Sequence, residues 1–295
     1  MKKQWKGSVM LLLAAMIWGA AFVAQSTSLE YLQPFTIQAV RFCMSGLVLL
    51  PFALIGERRR RKISEQLSVR KTLVRGIICG VMLFAACSFQ QFGLIYTSVG
   101  KSGFITALYI LMVPLFGIAL GKQIGWQIWC CVGIAVAGLY FLSGVGAGSF
   151  NIGDVLTLVC AGLFAVQILY VDHVGSSVNG ITLSCIQAFS CAAASAVCML
   201  LFETPQIDRI LQCWLPLCYA GILSGGAAYT LQIVGQQNCE PTLASLLMSL
   251  ESVFAALFGL LLLGQTLSST ELLGCALMFG AIIFAQIPLK KKKTA

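Results

Sequence analysis

Long apolar runs separated by short polar connections follow one another along the whole chain. Ten of the runs are about 20 residues long, the length that an α-helix needs to cross the hydrocarbon core of a bilayer. The pattern predicts spans at 7–26, 35–56, 73–95, 98–120, 124–143, 152–171, 180–202, 213–236, 242–264 and 270–288. We therefore expect an all-α integral membrane protein with ten transmembrane helices.

Composition agrees with this interpretation. Of the 295 residues, 59% are hydrophobic and 10% are charged, whereas about 25% of the residues in a soluble domain are charged. A membrane β-barrel would show short alternating segments in place of these long runs. Thirteen cysteines are scattered through the chain, with no C-x-x-C pair and a single histidine. We therefore expect no metal site, no cofactor and no disulfide framework.

The net charge of +9 is concentrated in the connections and at the two ends of the chain. The basic run from Arg58 to Lys62 lies in the longest connection, and lysines precede the first span and follow the last. Because basic loops stay on the cytoplasmic side, we expect a multi-pass protein of the cytoplasmic membrane with both termini cytoplasmic. Its partners should be the lipid bilayer and a small-molecule substrate, with no nucleic acid, and a homodimer is left open.

The two halves of the chain resemble each other. Phe104–Phe116 aligns without gaps with Thr242–Phe254, and Gly7–Ala15 aligns with Gly153–Ala161. We assign residues 1–143 to a first five-helix repeat, 144–151 to a Gly-rich linker, and 152–295 to a second five-helix repeat with a basic tail. Because five is odd, the second repeat is inverted in the membrane. Inverted repeats are typical of transporters whose halves rock about a site near the bilayer midplane.

Several stretches resemble a known family. They are WGAAFV at Trp18–Val23, Arg41 with Phe42, the passage YTSVGKSGFITALYILMVPLF with Pro114, and SLESVFAALFGLLLLGQTLSSTELLG near the C-terminus. Together they are similar to the drug/metabolite transporter superfamily, in its EamA-type ten-helix branch, over essentially the whole chain. The resemblance implies transport of small metabolites, often export, through a cavity enclosed by spans 1–4 and 6–9, with spans 5 and 10 peripheral.

The chain departs from the family pattern at two positions of the last spans. Ser252 stands where the family has proline after Glu251, and Gln265 stands where it usually has glutamate. The first departure predicts that the ninth span is less bent than in its relatives.

Glu251 lies near the middle of the ninth span, about ten residues after Pro241. A carboxylate at this depth costs roughly 3 kcal/mol on insertion scales, so it should face the bundle interior or a hydrated cavity. The sequence is equally compatible with a substrate or proton site and with a structural, hydrogen-bonded carboxyl. Its counterpart in the gapless alignment is Val113, so the two repeats differ here in one ionisable group.

Arg41 lies about seven residues into the second span, at a depth of roughly 10 Å. An arginine there needs acceptors. It could hold a substrate carboxylate or phosphate, because guanidinium binds both in bidentate fashion. It could instead extend toward the outer headgroups or bond a backbone carbonyl, and the sequence alone slightly favours this structural role.

Other polar or aromatic residues inside the spans are candidates to line the cavity or to join helices by hydrogen bonds. With the two charged residues they form the predicted site: Trp18, Gln38, Arg41, Gln90, Tyr109, Gln167, Tyr229, Gln232 and Glu251. Gln91 adjoins Gln90, and the two cannot share one helix face.

The leading hypothesis is a secondary transporter that exports small organic metabolites such as amino acids by alternating access. An intramembrane enzyme is the first alternative, but it needs paired aspartates or a metal-binding cluster, and Asp154 has no membrane-embedded aspartate partner. A passive channel is the second, although no filter-like carbonyl loop is visible. We therefore predict no catalytic residues.

Overall fold

The computed structural model describes residues 2–61, 69–97, 99–142, 151–175, 177–263 and 268–287, and every regular element in these ranges is helical. The elements are α1 (Lys2–Leu29), α2 (Pro34–Arg61), α3 (Val69–Tyr96), α4 (Val99–Ala107), α5 (Tyr109–Ala119), α6 (Trp126–Leu142), α7 (Ile152–Gly175), α8 (Gly180–Phe202), α9 (Ile207–Gln212), α10 (Trp214–Cys218), a π-helix (Tyr219–Ala228), α11 (Tyr229–Gln236), α12 (Pro241–Met248), α13 (Glu251–Leu263) and α14 (Ser269–Gln286).

The predicted fold class is confirmed. Within the described residues, nine helical segments are long and apolar enough to cross a membrane, and the shorter apolar helix α6 accounts for the tenth predicted span. The predicted linker 144–151 lies outside the described residues, apart from Asn151. The assignment of 1–143 and 152–295 to two repeats therefore stays a prediction as far as its boundaries are concerned.

Three of the spans are interrupted, although the sequence predicted continuous helices. The fourth breaks at Leu108, between α4 and α5, and the eighth passes through the π-helix. The ninth breaks at Ser249 and Leu250, between α12 and α13. The ninth span is therefore not one continuous helix, and the prediction that it is less bent than in relatives with proline at the position of Ser252 stays a prediction.

The hydrogen bonds around the ninth-span break explain why a proline is not needed. Ser249 Oγ donates to the carbonyl oxygen of Leu246 at 2.8 Å. The backbone N–H of Leu250 bonds three residues back to Leu247 at 3.3 Å, and that of Ser252 bonds three residues back to Ser249 at 3.2 Å. Such i−3 bonds are those of a 3₁₀ turn, and serine hydroxyls that bond back to the helix backbone often bend helices.

Helices α2 and α8 cap each other in a reciprocal way. Glu203, after α8, accepts hydrogen bonds from the backbone N–H of Phe35 at 2.8 Å and of Thr36 at 2.7 Å, and from Thr36 Oγ1 at 2.7 Å. Glu57, near the end of α2, accepts from Thr182 Oγ1 at 3.0 Å. Thr182 lies 146 positions after Thr36, and Glu203 lies 146 positions after Glu57. The two contacts are therefore related by exchange of the repeats.

Pairs of facing glycines show the same exchange. A Cβ on Gly7 of α1 would lie 2.7 Å from the carbonyl oxygen of Gly235 in α11. A Cβ on Gly153 of α7 would also lie 2.7 Å from the carbonyl oxygen of Gly93 in α3. Both contacts need glycine because the helix backbones approach closely. The α1–α11 and α7–α3 contacts are therefore equivalent.

The π-helix accounts for a shift in this register. Gly80 packs against the carbonyl oxygen of Gln187, and Gly221 packs against that of Arg41, so Gly80 and Gly221 correspond at a separation of 141 positions. Beyond the π-helix, Gly93 and Gly235 correspond at a separation of 142 positions. A π-helix accommodates one extra residue in an α-helix, so the eighth span carries a one-residue insertion relative to the third.

The remaining helix packing completes the inverted repeat. α6 packs on α14, where Gly138 and Gly274 approach each other's backbone. α2 packs along α8, α3 packs on α7, and α1 packs on α11. Exchanging the halves preserves the α2–α8 pair and converts the α3–α7 pair into the α11–α1 pair. The architecture is two inverted five-helix repeats, with α6 and α14 at the periphery.

A turn follows α5. Gly121 has φ +82° and forms a turn, and a Cβ on Gly121 or Gly125 would meet no atom within 4 Å among the described residues. Gly121, two residues after the end of α5, therefore helps to terminate this helix, and positive φ at a helix end is a typical role of glycine.

Candidate functional site

A cavity with about 490 Å³ of empty space, including its opening to solvent, lies at the centre of the bundle, between the two repeats. Residues of both repeats line it: Trp18, Phe22, Gln25, Arg41, Gln90, Thr106, Tyr109, Phe164, Ile168, Ser224, Tyr229, Gln232, Met248 and Glu251. Among the described residues, α6, α8 and α14 contribute none of this lining. The resemblance implied that span 7 would line the cavity, and that expectation is wrong for α8.

The cavity lies where two interrupted spans meet. Tyr109 is the first residue of α5 and Glu251 is the first residue of α13. Tyr109 donates a hydrogen bond from its hydroxyl to Glu251 Oε1 at 3.2 Å, and the glutamate is only 6% exposed. Interrupted helices that meet at mid-membrane are the usual place for the substrate and coupling-ion sites of transporters.

Arg41 lies in the cavity wall and is held by neutral groups. Its Nη1 donates to Gln25 Oε1 at 2.5 Å, and its Nη2 donates to Cys87 Sγ at 3.3 Å. Its Cζ lies 4.4 Å from the centroid of the Phe42 ring, a distance at which a cation and an aromatic face attract each other. With 2% of its surface exposed, Arg41 does not extend to the headgroups. The structural role favoured by the sequence is therefore replaced by a cavity position.

Neither charged side chain has an ionic partner. No described residue forms an ion pair within 4.0 Å with Arg41 or with Glu251. The cavity thus presents a guanidinium from the first repeat and a carboxyl from the second. A buried charge without a partner is costly, so the arrangement is suited to a ligand that supplies the missing partner.

Aromatic rings form the apolar part of the wall. The Trp18 and Tyr229 rings have centroids 4.9 Å apart, and Trp18 Nε1 donates to the carbonyl oxygen of Ser224 at 3.4 Å. Phe22 and Phe164 complete the aromatic lining. Such a wall with a few polar groups is typical of sites for small organic ligands.

The repeats allow each charge to be compared with its counterpart. Arg41 corresponds to Gln187, because both present their carbonyl oxygen to the equivalent glycines Gly221 and Gly80. Gln187 Oε1 accepts from Cys79 Sγ at 2.7 Å. The same fold position is therefore occupied by a neutral, satisfied amide in the second repeat.

Glu251 corresponds to Val113 in the gapless alignment, and Val113 is fully buried in an apolar cluster. The counterpart of each ionisable residue in the other repeat is thus a neutral residue. We conclude that the charges of Arg41 and Glu251 are not required by the architecture.

The glutamines divide into those that line the cavity and those behind it. Gln90 Nε2 donates to Thr106 Oγ1 at 3.3 Å within the lining. Gln232 Nε2 donates to Gln167 Oε1 at 3.2 Å, and Gln167 Nε2 donates to Gln187 Oε1 at 3.3 Å, which places Gln167 behind the wall. Gln38 donates to Ser88 Oγ at 3.3 Å and also lies outside the lining.

Seven of the nine predicted site residues therefore line the cavity, and Gln38 and Gln167 do not. Sequence reasoning missed the apolar and small lining residues, which carry no signal that separates them from ordinary packing. It also missed Gln25. Gln25 is a polar residue inside the first span, and this was a usable signal. Its contact with Arg41 depends on the tertiary structure and could not be read from the sequence.

Acidic residues outside the cavity have structural partners. Asp154 accepts from Lys101 Nζ at 2.6 Å, Thr97 Oγ1 at 2.8 Å and the Asn151 N–H at 2.8 Å, which caps α7. Asp172 pairs with Lys122 at 2.5 Å. Within the described ranges, no group of three or more His, Cys, Asp or Glu side chains could hold a metal ion.

Comparison with known proteins gives the family. The model of the EamA-like transporter family matches residues 5–144 and again 151–286. The chain belongs to the EamA-like transporter family. It is 30% identical over 278 residues to an "Uncharacterized transporter" of Archaeoglobus fulgidus, which covers 94% of this chain and 84% of that protein.

Other relatives of this EamA-like transporter agree. It is 25% identical to the "Uncharacterized inner membrane transporter YedA" of Escherichia coli, over 92% of this chain and 86% of that one. A protein of known crystal structure superposes with a TM-score of 0.79 and 21% identity, covering 98% of both chains. The last likeness shows the fold alone. The family, the fold and the apolar helices establish a multi-pass membrane transporter consistent with the drug/metabolite transporter superfamily.

Proposed function

We propose that this transporter exports small organic metabolites such as amino acids across the cytoplasmic membrane by alternating access around the central cavity. The observation that carries the proposal is that Arg41 and Glu251, a guanidinium and a carboxyl with no ion-pair partner among the described residues, line an aromatic cavity built by both repeats. A solute with a carboxylate would bind the guanidinium. An ammonium or amide group of the same solute would bind Glu251, and its apolar part would contact the rings.

The space at the predicted cytoplasmic end supports loading from that side. A vestibule with about 1150 Å³ of open space is lined by Lys122, Asp172, Gln236, Glu240 and their neighbours. Gln236 lies one helical turn from Gln232, which lines the central cavity. A solute from the cytoplasm therefore has a short way to the site, as export requires.

The orientation is part of the proposal and rests on the basic residues of the chain. Arg58 and Arg61 at the end of α2, and Arg70 and Lys71 at the start of α3, lie at the same end of the bundle as the start of α1. With this end in the cytoplasm, as the distribution of basic loops predicts, both termini are cytoplasmic and the ends of α1 and α3 at Leu29 and Tyr96 face outward.

Reconstitution tests the proposal directly. The purified protein is inserted into liposomes that are loaded with a cellular metabolite extract, and the solutes released over time are identified by mass spectrometry. We expect selective release of small solutes that carry a carboxylate together with an amino or amide group.

The matched control is the double variant Arg41→Gln, Glu251→Val, which gives the cavity the neutral residues that the equivalent positions already have. It should fold and release none of these solutes above empty liposomes. Equal release from the variant and the wild type, or release of solutes without regard to charge, would contradict the proposed site.

A further inference from the structure

Buried polar atoms without hydrogen-bond partners lie between Arg41 and the predicted outer face. They are Gln38 Oε1, both side-chain atoms of Gln91, and Nε of Arg41 itself, none of which has a partner among the described residues. Gln38 and Gln91 are each 0% exposed. A buried donor or acceptor without a partner costs free energy, so these groups call for an explanation.

The groups follow one another toward the outer face. On α3, Cys87 contacts Arg41, and Ser88 accepts a hydrogen bond from Gln38 at 3.3 Å. Gln91 lies one helical turn beyond Cys87, on the same stripe of α3 and five residues before its end at Tyr96. We call Gln38, Ser88 and Gln91 the outer polar column.

The second repeat provides an internal comparison. Ser184 and Thr230 correspond to Gln38 and Ser88, and Thr230 Oγ1 donates to Ser184 Oγ at 2.9 Å, so this pair is satisfied. Gln91 corresponds to Ile233, which is 0% exposed within an apolar cluster. The equivalent position in the second repeat therefore holds an apolar side chain, and of these three pairs of counterparts only Gln38 and Gln91 have buried side-chain atoms without a partner among the described residues.

We propose that the outer polar column is the polar leg of the path between the central cavity and the outer face, where it binds water and the charged group of a departing solute. Arg41 lies both in the cavity wall and at the inner end of the outer polar column. It would pass a carboxylate from the cavity to the amides of Gln38 and Gln91. The inference rests on the proposed transport function. It assigns to that function a second site, which lies outside the central cavity.

Site-resolved thiol labelling tests the column without any knowledge of the substrate. Gln91→Cys and Phe89→Cys are expressed in cells and treated from outside with a charged, membrane-impermeant methanethiosulfonate, and the labelled peptides are quantified by mass spectrometry. Phe89 is a control two residues away on the same helix, with 36% of its surface exposed, and it lines an apolar groove. We expect labelling at position 91 and none at position 89. An unlabelled position 91 would overturn the proposal.

A second variant separates a permeation role from a structural one. Gln91→Leu removes two unsatisfied buried atoms, so the melting temperature in detergent should rise by a few degrees. Release of the solutes found by the liposome screen should fall about tenfold, as expected for a hydrogen bond lost from the path. The control Ile233→Leu should change neither quantity. A lower melting temperature or unchanged release for Gln91→Leu would show that Gln91 holds the fold.

The two experiments can fail independently of the transport proposal. If the liposome screen identifies solutes while position 91 stays unlabelled, the transporter function stands and the column is rejected. If position 91 is labelled and Gln91→Leu is stabilised while the screen finds no solute of the proposed class, the column stands and the substrate proposal is rejected.

Discussion

Replacement of Arg41 by glutamine is the sharpest test of how the cavity selects its solute. The change converts the position to the residue found at its counterpart, Gln187, and glutamine can still hydrogen-bond to Gln25. It removes the positive charge and the donor Nε, which has no partner among the described residues. The variant should therefore lose recognition of an anionic group while it keeps the local structure.

The magnitude follows from the contacts. A hydrogen bond to a charged group contributes about 1.5–3 kcal/mol, and 1.4 kcal/mol corresponds to a factor of ten in affinity. Binding of a carboxylate solute should weaken by about 10- to 100-fold. Folding stability should stay the same or rise, because Arg41 has neutral partners at Gln25 and Cys87 in place of a counter-ion, and burial of a charge without an ionic partner is costly.

Ligand-induced shifts of the melting temperature in detergent provide the assay. Each solute from the liposome screen is titrated against the wild type and Arg41→Gln, together with its neutral amide or ester analogue. We expect the affinity for the acid to fall and the affinity for the neutral analogue to stay within about twofold. Equal losses for both members of a pair, or a melting temperature lowered without ligand, would mean that Arg41 holds the fold and does not select the solute.

Three further outcomes are expected. Glu251→Gln should keep the hydrogen bond from Tyr109, but glutamine cannot titrate. Transport by the variant should therefore lose the pH dependence that we expect of the wild type. An unchanged pH profile in proteoliposomes would assign Glu251 a structural role. Glu203→Ala should lower the free energy of unfolding by about 2 kcal/mol, because three hydrogen bonds to the start of α2 are lost. Glu57→Ala, which loses a single bond from Thr182, should lower it by less than about 1 kcal/mol. Equal shifts in melting temperature for the two variants would refute this comparison. A C-terminal phosphatase fusion should be inactive and a C-terminal fluorescent fusion active, because the tail is predicted to be cytoplasmic, and the opposite result would reject the orientation.

The ten spans could be predicted because the bilayer imposes a length and an apolar composition on each helix. The interruptions could not. The break at Leu108 lies in a sequence that is as apolar as the helices on either side, and the break at Ser249 depends on hydroxyl groups that bond to the backbone. The π-helix could not be predicted either, because its one-residue insertion shows only when facing residues of the third and eighth spans are compared.

The sequence indicated which residues lie at the cavity most clearly where chemistry alone restricts a residue. Glu251 and Arg41 had to avoid lipid, and both line the cavity. Glutamines are less restricted, because a buried amide can face a ligand or another helix equally well. Gln232 lines the cavity while Gln167, hydrogen-bonded to it, lies behind the wall. No periodicity in the sequence distinguishes these two positions.

The inverted repeat also shows where the energetic difference between the two sides of the protein must arise. With two identical halves, the states open to either face would be related by symmetry and equal in free energy, so a preference can come only from positions where the halves differ. At the predicted outer face, Lys101 and Asp154 form an ion pair. Their counterparts at the other face are Cys239 and Ser8, joined by a neutral side-chain hydrogen bond.

The caps differ in the same direction. Glu203 makes three hydrogen bonds at the outer end of α2. At the inner end of α8, Glu57 makes one, and Asn179 caps the helix from within its own chain segment. Charge-assisted hydrogen bonds are stronger than neutral ones, so the contacts at the outer end are the stronger set. If the two faces open in alternation, as proposed, a state that breaks the Glu203 contacts costs more than its counterpart, and binding of a solute in the cavity would supply that difference.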